Sequence, residues 1–297
     1  GKWAGIFQFT ERGAQGFCKR AKPKNIIDIS AITSIYRPGP LSAGVDQNYI
    51  EAKNSPSSVE YLNNLVREVT KETHGFLIFQ EKIALLAHKL GKGISLDEGN
   101  ALRKLLTKKG TGDHEKKKTK IYEKFLEGCL SKGLLQGDAE RLWQTFEYFS
   151  GYGFNKSHAV SYSILSYQCA YLLNYYPTEW MAAFLDKEPE DRKERAINTA
   201  KSMGFKIRKL DINSSGTVWE IGEDGRTLIQ PLTAIKGLGD KAIEQILSNR
   251  PFNTIDNLLF NENIIYSKLN KKALDVLCSA GAIESLCDSR FAGMKHL

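Results

Sequence analysis

The sequence predicts a mainly α fold, in which a multi-helical larger part is followed by a small β element and a smaller helical unit. Two observations predict this fold. Apolar residues recur every three or four positions over long stretches, which is the period of an amphipathic helix. Between residues 205 and 232 that period gives way to Thr217, Val218 and Trp219 beside Gly222 and Gly225, a pattern typical of short strands. The change predicts a boundary near residue 205.

The predicted helices follow one another through most of the chain. Ser95 with Glu98 forms a capping box, which places the start of one helix. Pro177 follows another helix at a position where helices end. The predicted helices cover residues 60–73, 80–90, 95–106, 116–132, 138–149, 158–175 and 190–203.

The composition is that of a globular protein, with 297 residues of which 41% are hydrophobic and 26% charged. It excludes a fully disordered or fibrous chain. No secretory leader is visible, and the uncharged run 159–178 contains too many tyrosines and serines for a lipid-facing helix. Five scattered cysteines without a C-x-x-C pair favour a cytoplasmic location over a zinc site or a disulfide framework.

The net charge of +8 is concentrated in one stretch. Residues 101–124 contain nine Lys or Arg residues and three Asp or Glu residues. Two interpretations stay open. The stretch is either a solvated helix face with a mobile lysine loop, or a surface that binds the phosphates of a nucleic acid or a triphosphate.

The clearest short motif is IKGLGDKA at residues 235–242, which matches the helix-hairpin-helix pattern h-x-G-h-G-x-x-A. Its glycines allow a tight hairpin and let backbone amides approach a phosphate at the start of the next helix, at Asp240. A second, weaker unit at 270–283 predicts a tandem pair, and such pairs hold a duplex by its backbone. An ordinary helix–turn–helix corner is the alternative. The residues predicted to bind DNA are Lys236, Gly237, Gly239 and Lys241.

A turn rich in glycine and aromatic residues, GYGFNKSH at 151–158, leads into a tyrosine-rich helix. In one interpretation, backbone amides with Lys156 and His158 bind a phosphate while the helix stacks against a base. In the other, Ser157 is a simple N-cap and His158 a satisfied neighbour. Spacing alone leaves the two interpretations equal.

Several kinds of catalytic motif are missing from the sequence. A two-metal phosphoryl-transfer site needs closely placed carboxylates, commonly Asp-x-Asp, and no two aspartates here are separated by one residue. Walker, H-E-x-x-H and G-x-S-x-G motifs are also missing. We therefore expect no catalytic residue and no metal ligand in this chain.

Taken together, the motifs are more specific than any one of them. In chain order they are FQF at 7–9, YRPGP at 36–40, GFLIFQE at 75–81, LRK at 102–104, GYGFNKSH at 151–158 and IKGLG at 235–239. This series strongly resembles the alpha subunit of bacterial replicative DNA polymerase III, the C family of DNA polymerases.

The resemblance implies a polymerase fingers domain over residues 1–208, then a short β linker and the tandem helix-hairpin-helix unit over 209–297. In the family, basic residues of the fingers hold the triphosphate of the incoming nucleotide. The family usually has two arginines where this chain has Arg103 and Lys104, and a glycine in place of Thr107. The implied nucleotide-binding residues are Arg103, Lys104, Lys108, Lys109, Asn155, Lys156 and His158.

The implied function is the part of a DNA-directed DNA polymerase that binds the incoming nucleotide and duplex DNA. In the family the catalytic aspartates belong to the palm, which precedes the segment matching Gly1. We therefore expect this chain alone to be inactive and Mg²⁺ to bind only in the assembled polymerase. The implied partners are primer-template DNA, deoxynucleoside triphosphates, a palm-containing segment, a sliding clamp and other replisome subunits, with no membrane. A non-catalytic DNA-binding or scaffold module with the same fold is the alternative.

Overall fold

The computed structural model describes residues 2–107, 112–151 and 153–287, and it is mainly α, as the sequence predicts. No helix in the described ranges is long and apolar enough to cross a lipid bilayer. The helices are α1 (Arg12–Ala21), α2 (Ile26–Ile35), α3 (Pro38–Ser42), α4 (Val45–Asn54), α5 (Asn64–Thr70), α6 (Gln80–Leu90), α7 (Leu96–Thr107), α8 (Gly112–Ser131), α9 (Gln136–Ser150), α10 (Lys156–Tyr175), α11 (Pro177–Lys187), α12 (Glu190–Ser202), α13 (Asp240–Asn249), α14 (Ile255–Leu259) and α15 (Lys271–Ser279).

The chain forms two compact units, and the boundary between them falls within α10. The first unit is Gly5–Ala170. The second is Tyr171–Leu297 with Gly1–Ala4, of which residues 2–4 and 171–287 are described. The division into a fingers domain at 1–208 and a hairpin unit at 209–297 stays a prediction.

The first unit has its main core where α5 to α9 pack together. Leu86 and Leu90 of α6, Leu102 of α7, and Phe125 and Phe146 of α8 and α9 are fully buried in it. These positions recur at helical spacing, which is why the sequence pattern predicts the helices. Burying such side chains is the main source of stability of this unit, at about 1.5–3 kcal/mol for each.

Helices α6 and α7 form an antiparallel hairpin whose axes approach closely. A Cβ atom added at Gly99 of α7 would lie 2.5 Å from the carbonyl oxygen of Ala84 in α6, so glycine is needed for this contact. The predicted capping box begins α7, because the Ser95 Oγ accepts from the Glu98 amide at 3.1 Å and a Glu98 carboxylate oxygen accepts from the Ser95 amide at 2.9 Å. The prediction of this helix start is confirmed.

The predicted helix over 60–73 was too long at its N-terminal end. Helix α5 begins at Asn64, because the Asn63 side chain accepts a hydrogen bond from the Val66 amide at 2.9 Å and caps the helix there. A short 3-10 turn over Lys71–Thr73 follows α5. The apolar periodicity continued past the cap, so periodicity alone did not reveal it.

The second unit contains the small sheet that the pattern between residues 205 and 232 predicts. Its strands are β1 (Lys206–Arg208), β2 (Glu220–Ile221) and β3 (Thr227–Ile229), with β3 in the centre, parallel to β1 and antiparallel to β2. Helices α13 to α15 follow and enclose a separate apolar core around Ile246, Phe252 and Leu277.

Candidate functional site

The glycine-aromatic motif at 151–158 is joined to the start of α6. Phe79 and Phe154 form a parallel β bridge. The Gln80 amide donates to the Phe154 carbonyl oxygen at 3.0 Å, and the Phe154 amide donates to the Ile78 carbonyl oxygen at 3.0 Å. The Gln80 side-chain amide also donates to the Gly153 carbonyl oxygen at 2.7 Å. Two motifs far apart in the sequence are thus brought together.

The side chain of Glu81, the first acidic residue of α6, lies at the N-terminus of α10. One carboxylate oxygen accepts from the Lys156 backbone amide at 3.0 Å, and the other accepts from the Asn155 side-chain amide at 2.9 Å. The Asn155 side-chain oxygen in turn accepts from the His158 amide at 2.9 Å. Asn155 therefore caps α10, and the interpretation of Ser157 as the N-cap was wrong, because the Ser157 hydroxyl donates to Asn155 at 2.6 Å. The Lys156 and His158 amides at the start of α10 therefore have intramolecular acceptors.

The Lys156 side chain shares one carboxylate with a second lysine. Its ammonium lies 2.6 Å from a Glu72 carboxylate oxygen, which also pairs with the ammonium of Lys82. Lys82 is nearly buried and donates to the Val69 carbonyl oxygen at 2.5 Å. Burial raises the pKa of Glu72, but hydrogen bonds from Lys156 and Lys82 outweigh burial and leave this pKa below its ordinary value. Within these three side chains, one positive charge is not compensated.

Arg37, from the YRPGP motif, lies against the same segment. Its guanidinium carbon is 4.7 Å from the centre of the Phe154 ring, and its Nε donates to the Ser34 carbonyl oxygen at 2.7 Å. Burial lowers the pKa of Arg37. The sequence did not single out Arg37, because a proline-rich turn with an arginine is common. Its position beside the glycine-aromatic motif is a tertiary feature.

Four rings near the start of α10 form what we call the aromatic row: Phe154, His158, Tyr162 and Phe7. Ring centres are 5.4 Å apart between Phe154 and His158, 4.1 Å between His158 and Tyr162, and 5.1 Å between Tyr162 and Phe7. His158 and Tyr162 stack because residues four apart share one face of a helix. The Ser166 hydroxyl donates to the Phe7 carbonyl oxygen at 2.9 Å and fixes Phe7 against α10.

Arg103 and Lys104 lie in the last two turns of α7, at the same end of the α6–α7 hairpin as Gln80. Gly99 contacts Ala84, so Arg103, one turn after Gly99, is level with the start of α6. The Arg103 side chain is half-buried and that of Lys104 is exposed. The predicted residues Lys108 and Lys109 lie outside the described residues. Arg37 and Lys156 both lie beside the glycine-aromatic motif; that Arg103 and Lys104 join them in one site stays a prediction.

The first helix-hairpin-helix motif is exposed, and backbone amides at the start of its second helix are not capped. Lys236, Gly237, Gly239 and Lys241 are all exposed, while Leu238 between them is buried. Gly237 has a φ of 93°, which glycine adopts without strain. Helix α13 begins at Asp240 as predicted, with Gly239 as an N-cap that offers no side-chain acceptor. The amides of Gly239, Asp240 and Lys241 have no acceptor within the described chain.

The second hairpin, after α15, is buried. Gly281, at a φ of 77°, turns the chain, and Ala282 and Ile283 are fully buried. The Ala282 amide donates to the Leu277 carbonyl oxygen at 2.9 Å, and the Ala282 carbonyl oxygen accepts from the Ile212 amide at 2.7 Å. The loop that the sequence predicts as the second hairpin is therefore buried and its Ala282 amide has an internal acceptor, and the tandem pair itself stays a prediction.

Among the residues that the structure describes, no three His, Cys, Asp or Glu side chains come together in a way that could hold a metal ion. The acidic residues near the motifs have other partners: Glu72 is paired with lysines, and Glu81 accepts hydrogen bonds at the start of α10.

Comparison with known proteins gives matches over most of the chain. Residues 1–129 match the finger domain of the bacterial DNA polymerase III alpha subunit, and residues 204–292 match a helix-hairpin-helix motif. DNA polymerase III subunit alpha of Treponema pallidum is 34% identical over 303 residues, covering 100% of this chain and 25% of that protein. The Aquifex aeolicus and Thermus aquaticus subunits are 34% and 33% identical, covering 96% and 97% of this chain and 24% of each protein. The chain spans about a quarter of the length of these relatives.

Proposed function

Because the chain belongs to the family of bacterial DNA polymerase III alpha subunits, we propose that it binds the incoming deoxynucleoside triphosphate and duplex DNA of a DNA polymerase. The triphosphate binds at the end of the first unit where Lys156 and Arg103 lie, and the duplex binds at the first hairpin of the second unit. The catalytic aspartates belong to a palm-containing segment outside this chain, and the chain alone does not extend a primer.

The proposal rests on one observation: two lysine ammonium groups share the single carboxylate of Glu72, so one positive charge has no negative partner. Two lysines share this one carboxylate, and Lys82 is the nearly buried one, whose charge must be paired. Lys156 is about one-third exposed and is therefore the ammonium that can also meet an external anion. A phosphate beside Lys156 completes the charge balance of the group, which makes a phosphate a favoured ligand.

The basic side chains would contact a triphosphate in different ways. Lys156 is a point charge with three donors, whereas Arg103 offers a planar fork that two phosphate oxygens match. Lys104, Lys108 and Lys109 add positive charge on the same stretch of sequence, where negative charge builds up during phosphoryl transfer. Asn155 has a different role in our proposal: it caps α10 and, with Glu81, fixes the backbone that carries Lys156 and His158.

Duplex DNA binds at the first hairpin through backbone amides. The exposed amides at the start of α13 point toward solvent beside Lys236 and Lys241, and a helix N-terminus with free amides attracts a phosphate. Contacts of this kind position a duplex without reading its sequence. Primer-template DNA is therefore the partner we propose for this surface. A sliding clamp and other replisome subunits remain proposed partners on the basis of the family alone.

Mg²⁺ is proposed for the assembled polymerase, where it neutralises phosphate charge and activates the primer hydroxyl when bound. The catalytic carboxylates of the family belong to the palm, so we assign the ion to the palm-containing segment. A DNA-binding or scaffold module is the second candidate function, and the open hairpin at α13 favours it equally, because that hairpin needs no palm to bind DNA.

The triphosphate site can be tested on this chain by calorimetric binding of inorganic tripolyphosphate and of a deoxynucleoside triphosphate. Lys156→Ala leaves the Glu72–Lys82 pair in place, and we expect it to weaken binding of both ligands by about tenfold. The matched control is Lys92→Ala, since Lys92 is an exposed lysine paired with Glu127 at the other end of the α6–α7 hairpin. Equal affinities of the two variants would contradict the proposed site.

The division of labour with a palm segment is tested by primer extension. We expect the purified chain to give no extension with magnesium and deoxynucleotides, and to support extension when a palm-containing segment of the family is added. Extension by the chain alone would show that it carries its own catalytic residues. A complete polymerase that works equally well without this chain would favour the scaffold function.

A further inference from the structure

Helices α8 and α9 of the first unit leave an open groove between them, with a volume of about 440 Å³. Tyr122 from α8 and Trp143 from α9 both line it, and their rings meet edge to face with centres 5.1 Å apart. Behind them lies the fully buried Phe125, whose ring centre is 5.5 Å from that of Trp143. Because these rings are packed into the core, the groove has a fixed aromatic wall.

The indole N–H of Trp143 has no acceptor within the described chain, although the residue is only 6% exposed. The nitrogen itself is not enclosed by protein, and the groove is the opening that Trp143 lines. A tryptophan that is almost completely buried normally finds a partner for its N–H. The free donor in the wall of the groove therefore favours a ligand that brings an acceptor.

The rim of the groove is acidic. Glu147 forms an ion pair with Lys118 at 2.7 Å. Glu115 and Glu140 line the same groove, and among the described residues neither carboxylate has a cationic partner within 4.0 Å. The Gln136 side-chain amide donates to one Glu140 oxygen at 2.9 Å, which leaves the charge of Glu140 unbalanced. The rim thus presents two unpaired negative charges.

Helix α8 separates this acidic rim from lysines on its other side. The Lys124 ammonium donates to Glu98 of α7 at 2.7 Å, and this hydrogen bond, with a smaller contribution from Lys120, lowers the pKa of the Glu98 carboxyl. Lys120 and Lys124 are four residues apart and share the face that meets α7, whereas Glu115 and Tyr122 line the groove beside α9. A ligand of the groove therefore meets carboxylates and aromatic rings.

We propose that this groove binds an arginine side chain of a protein partner. The guanidinium lies against the Tyr122 ring and pairs with Glu115 and Glu140, while a backbone carbonyl oxygen of the partner accepts from the Trp143 N–H. Arginine fits better than lysine because its planar, weakly hydrated cation stacks on rings and forms paired hydrogen bonds to carboxylates. Nucleic acid does not fit, since the carboxylates repel phosphates. The groove is a site in addition to the proposed nucleotide and DNA sites and does not depend on them.

The test follows the indole ¹H–¹⁵N signal of Trp143 in the full chain, assigned with Trp143→Phe, during titration with three capped tripeptides. Their central residue is arginine, lysine or citrulline, the neutral analogue of arginine. We expect the arginine peptide to shift this signal saturably, the lysine peptide to bind several-fold more weakly, and the citrulline peptide to bind about tenfold more weakly. Equal binding of the citrulline peptide overturns the site, and equal binding of the lysine peptide overturns its assignment to arginine.

Variants at the rim test the contacts without disturbing the core. Glu140→Gln and Glu115→Gln keep the shape of each side chain, and we expect each to weaken binding of the arginine peptide by about tenfold. The matched control is Glu127→Gln, also on α8, where an exposed glutamate pairs with Lys92 outside the groove. Equal affinities of the three variants overturn the proposal.

Two further titrations distinguish other occupants of the groove. A shift of the Trp143 signal by an oligothymidylate, with none by the arginine peptide, would show that the groove binds nucleic acid and would overturn the proposal. A shift that depends on protein concentration in the absence of peptide would assign the groove to a second copy of this chain and would also overturn it. We expect the Trp143 signal to stay unchanged in both titrations.

Discussion

Helices α10 and α13 begin in similar sequence surroundings, but their first amides have different partners. Both helices follow a glycine-rich turn and carry a lysine in their first two residues. At α10 the carboxylate of Glu81 and the side chain of Asn155 accept from the first amides, while at α13 the first amides have no acceptor within the described chain. A helix N-terminus binds an external anion only where the protein does not supply an acceptor itself.

We propose that the two helix starts bind phosphate in two different ways. At α10 the backbone amides are already occupied, so a ligand would be bound by the side chain of Lys156 and its neighbours. This arrangement suits a compact triphosphate. At α13 the backbone amides themselves can donate to a ligand. This arrangement suits the repeated phosphates of a duplex. Substitutions at the two helix starts test this difference.

Glu81→Ala removes the acceptor at α10. The Lys156 amide and the Asn155 side-chain amide then lose their partner, and we expect the free energy of unfolding to fall by about 1–3 kcal/mol in urea titration. The control is Glu127→Ala, which removes an exposed carboxylate paired with Lys92 and should change this free energy by less than about 0.5 kcal/mol. Equal losses in the two variants would show that α10 does not depend on Glu81.

Lys241→Glu reverses a charge at the open start of α13. We expect duplex affinity to fall by about tenfold whatever the DNA sequence, and the salt dependence of binding to weaken by about one phosphate contact. The comparison variant is Lys272→Glu at the start of α15, where the Asn270 side chain already accepts from the Ala273 amide at 3.0 Å. A larger loss for Lys272→Glu than for Lys241→Glu would place the main phosphate contact at the start of α15 and not at the start of α13.

Gly239→Asp would make α13 resemble α10 by giving it an acceptor of its own. Gly239 has a φ of −86° and no atom within 4 Å of an added Cβ, so the site accepts a side chain. We expect thermal stability to rise by a few tenths of a kcal/mol and duplex affinity to fall several-fold, because the new carboxylate takes the place of a phosphate. Gly239→Asn should give the same stability with a smaller loss of affinity. Unchanged affinity in both variants would show that the amides of α13 do not contact DNA.

The two units should also differ in their response to mild acid. In the first unit, burial lowers the pKa of His74, with Lys53 adding to the shift, so the unfolded chain binds more protons at this residue. Its contribution to stability is present above the ordinary pKa of 6.5 and is lost as pH falls below it. We expect urea midpoints to drop between pH 7.5 and 5.5, and to drop less in His74→Gln. Identical pH profiles of the two proteins would remove His74 as the cause.

In the second unit the corresponding group is Asp224, which acts at much lower pH. Hydrogen bonds from the Arg226 amide and from the side chain and amide of Thr227 lower its pKa to about 2. Its stabilising contribution is therefore lost only as pH falls from its ordinary pKa of 3.8 toward about 2. Mild acid should affect the first unit and leave this turn intact.

The parts of the fold that the sequence predicts are those controlled by neighbouring residues. The capping box at Ser95, the start of α13 at Asp240 and the hairpin turn at Gly237 each depend on residues a few positions apart, and all three lie where the sequence predicts them. The lysine-rich stretch and the glycine-aromatic motif were also visible as patterns. Their chemistry was left open because it depends on more distant residues.

The parts that could not be predicted depend on long-range contacts. Glu81 lies 74 and 75 residues from the groups it binds at α10, and Glu72 lies 84 residues from Lys156. No local pattern shows which carboxylate reaches a helix start, so the two interpretations of the glycine-aromatic motif stayed equal. The burial of the second hairpin likewise depends on a distant backbone bond, from Ile212 to Ala282.

The carboxylate shared by two lysines also couples the evolution of three positions. If either Lys82 or Lys156 is replaced, the remaining lysine still pairs with the Glu72 carboxylate. If Glu72 is replaced, both lysines lose their carboxylate partner. Substitutions at positions 72, 82 and 156 are therefore epistatic, and the order in which they arise determines which of them a lineage tolerates.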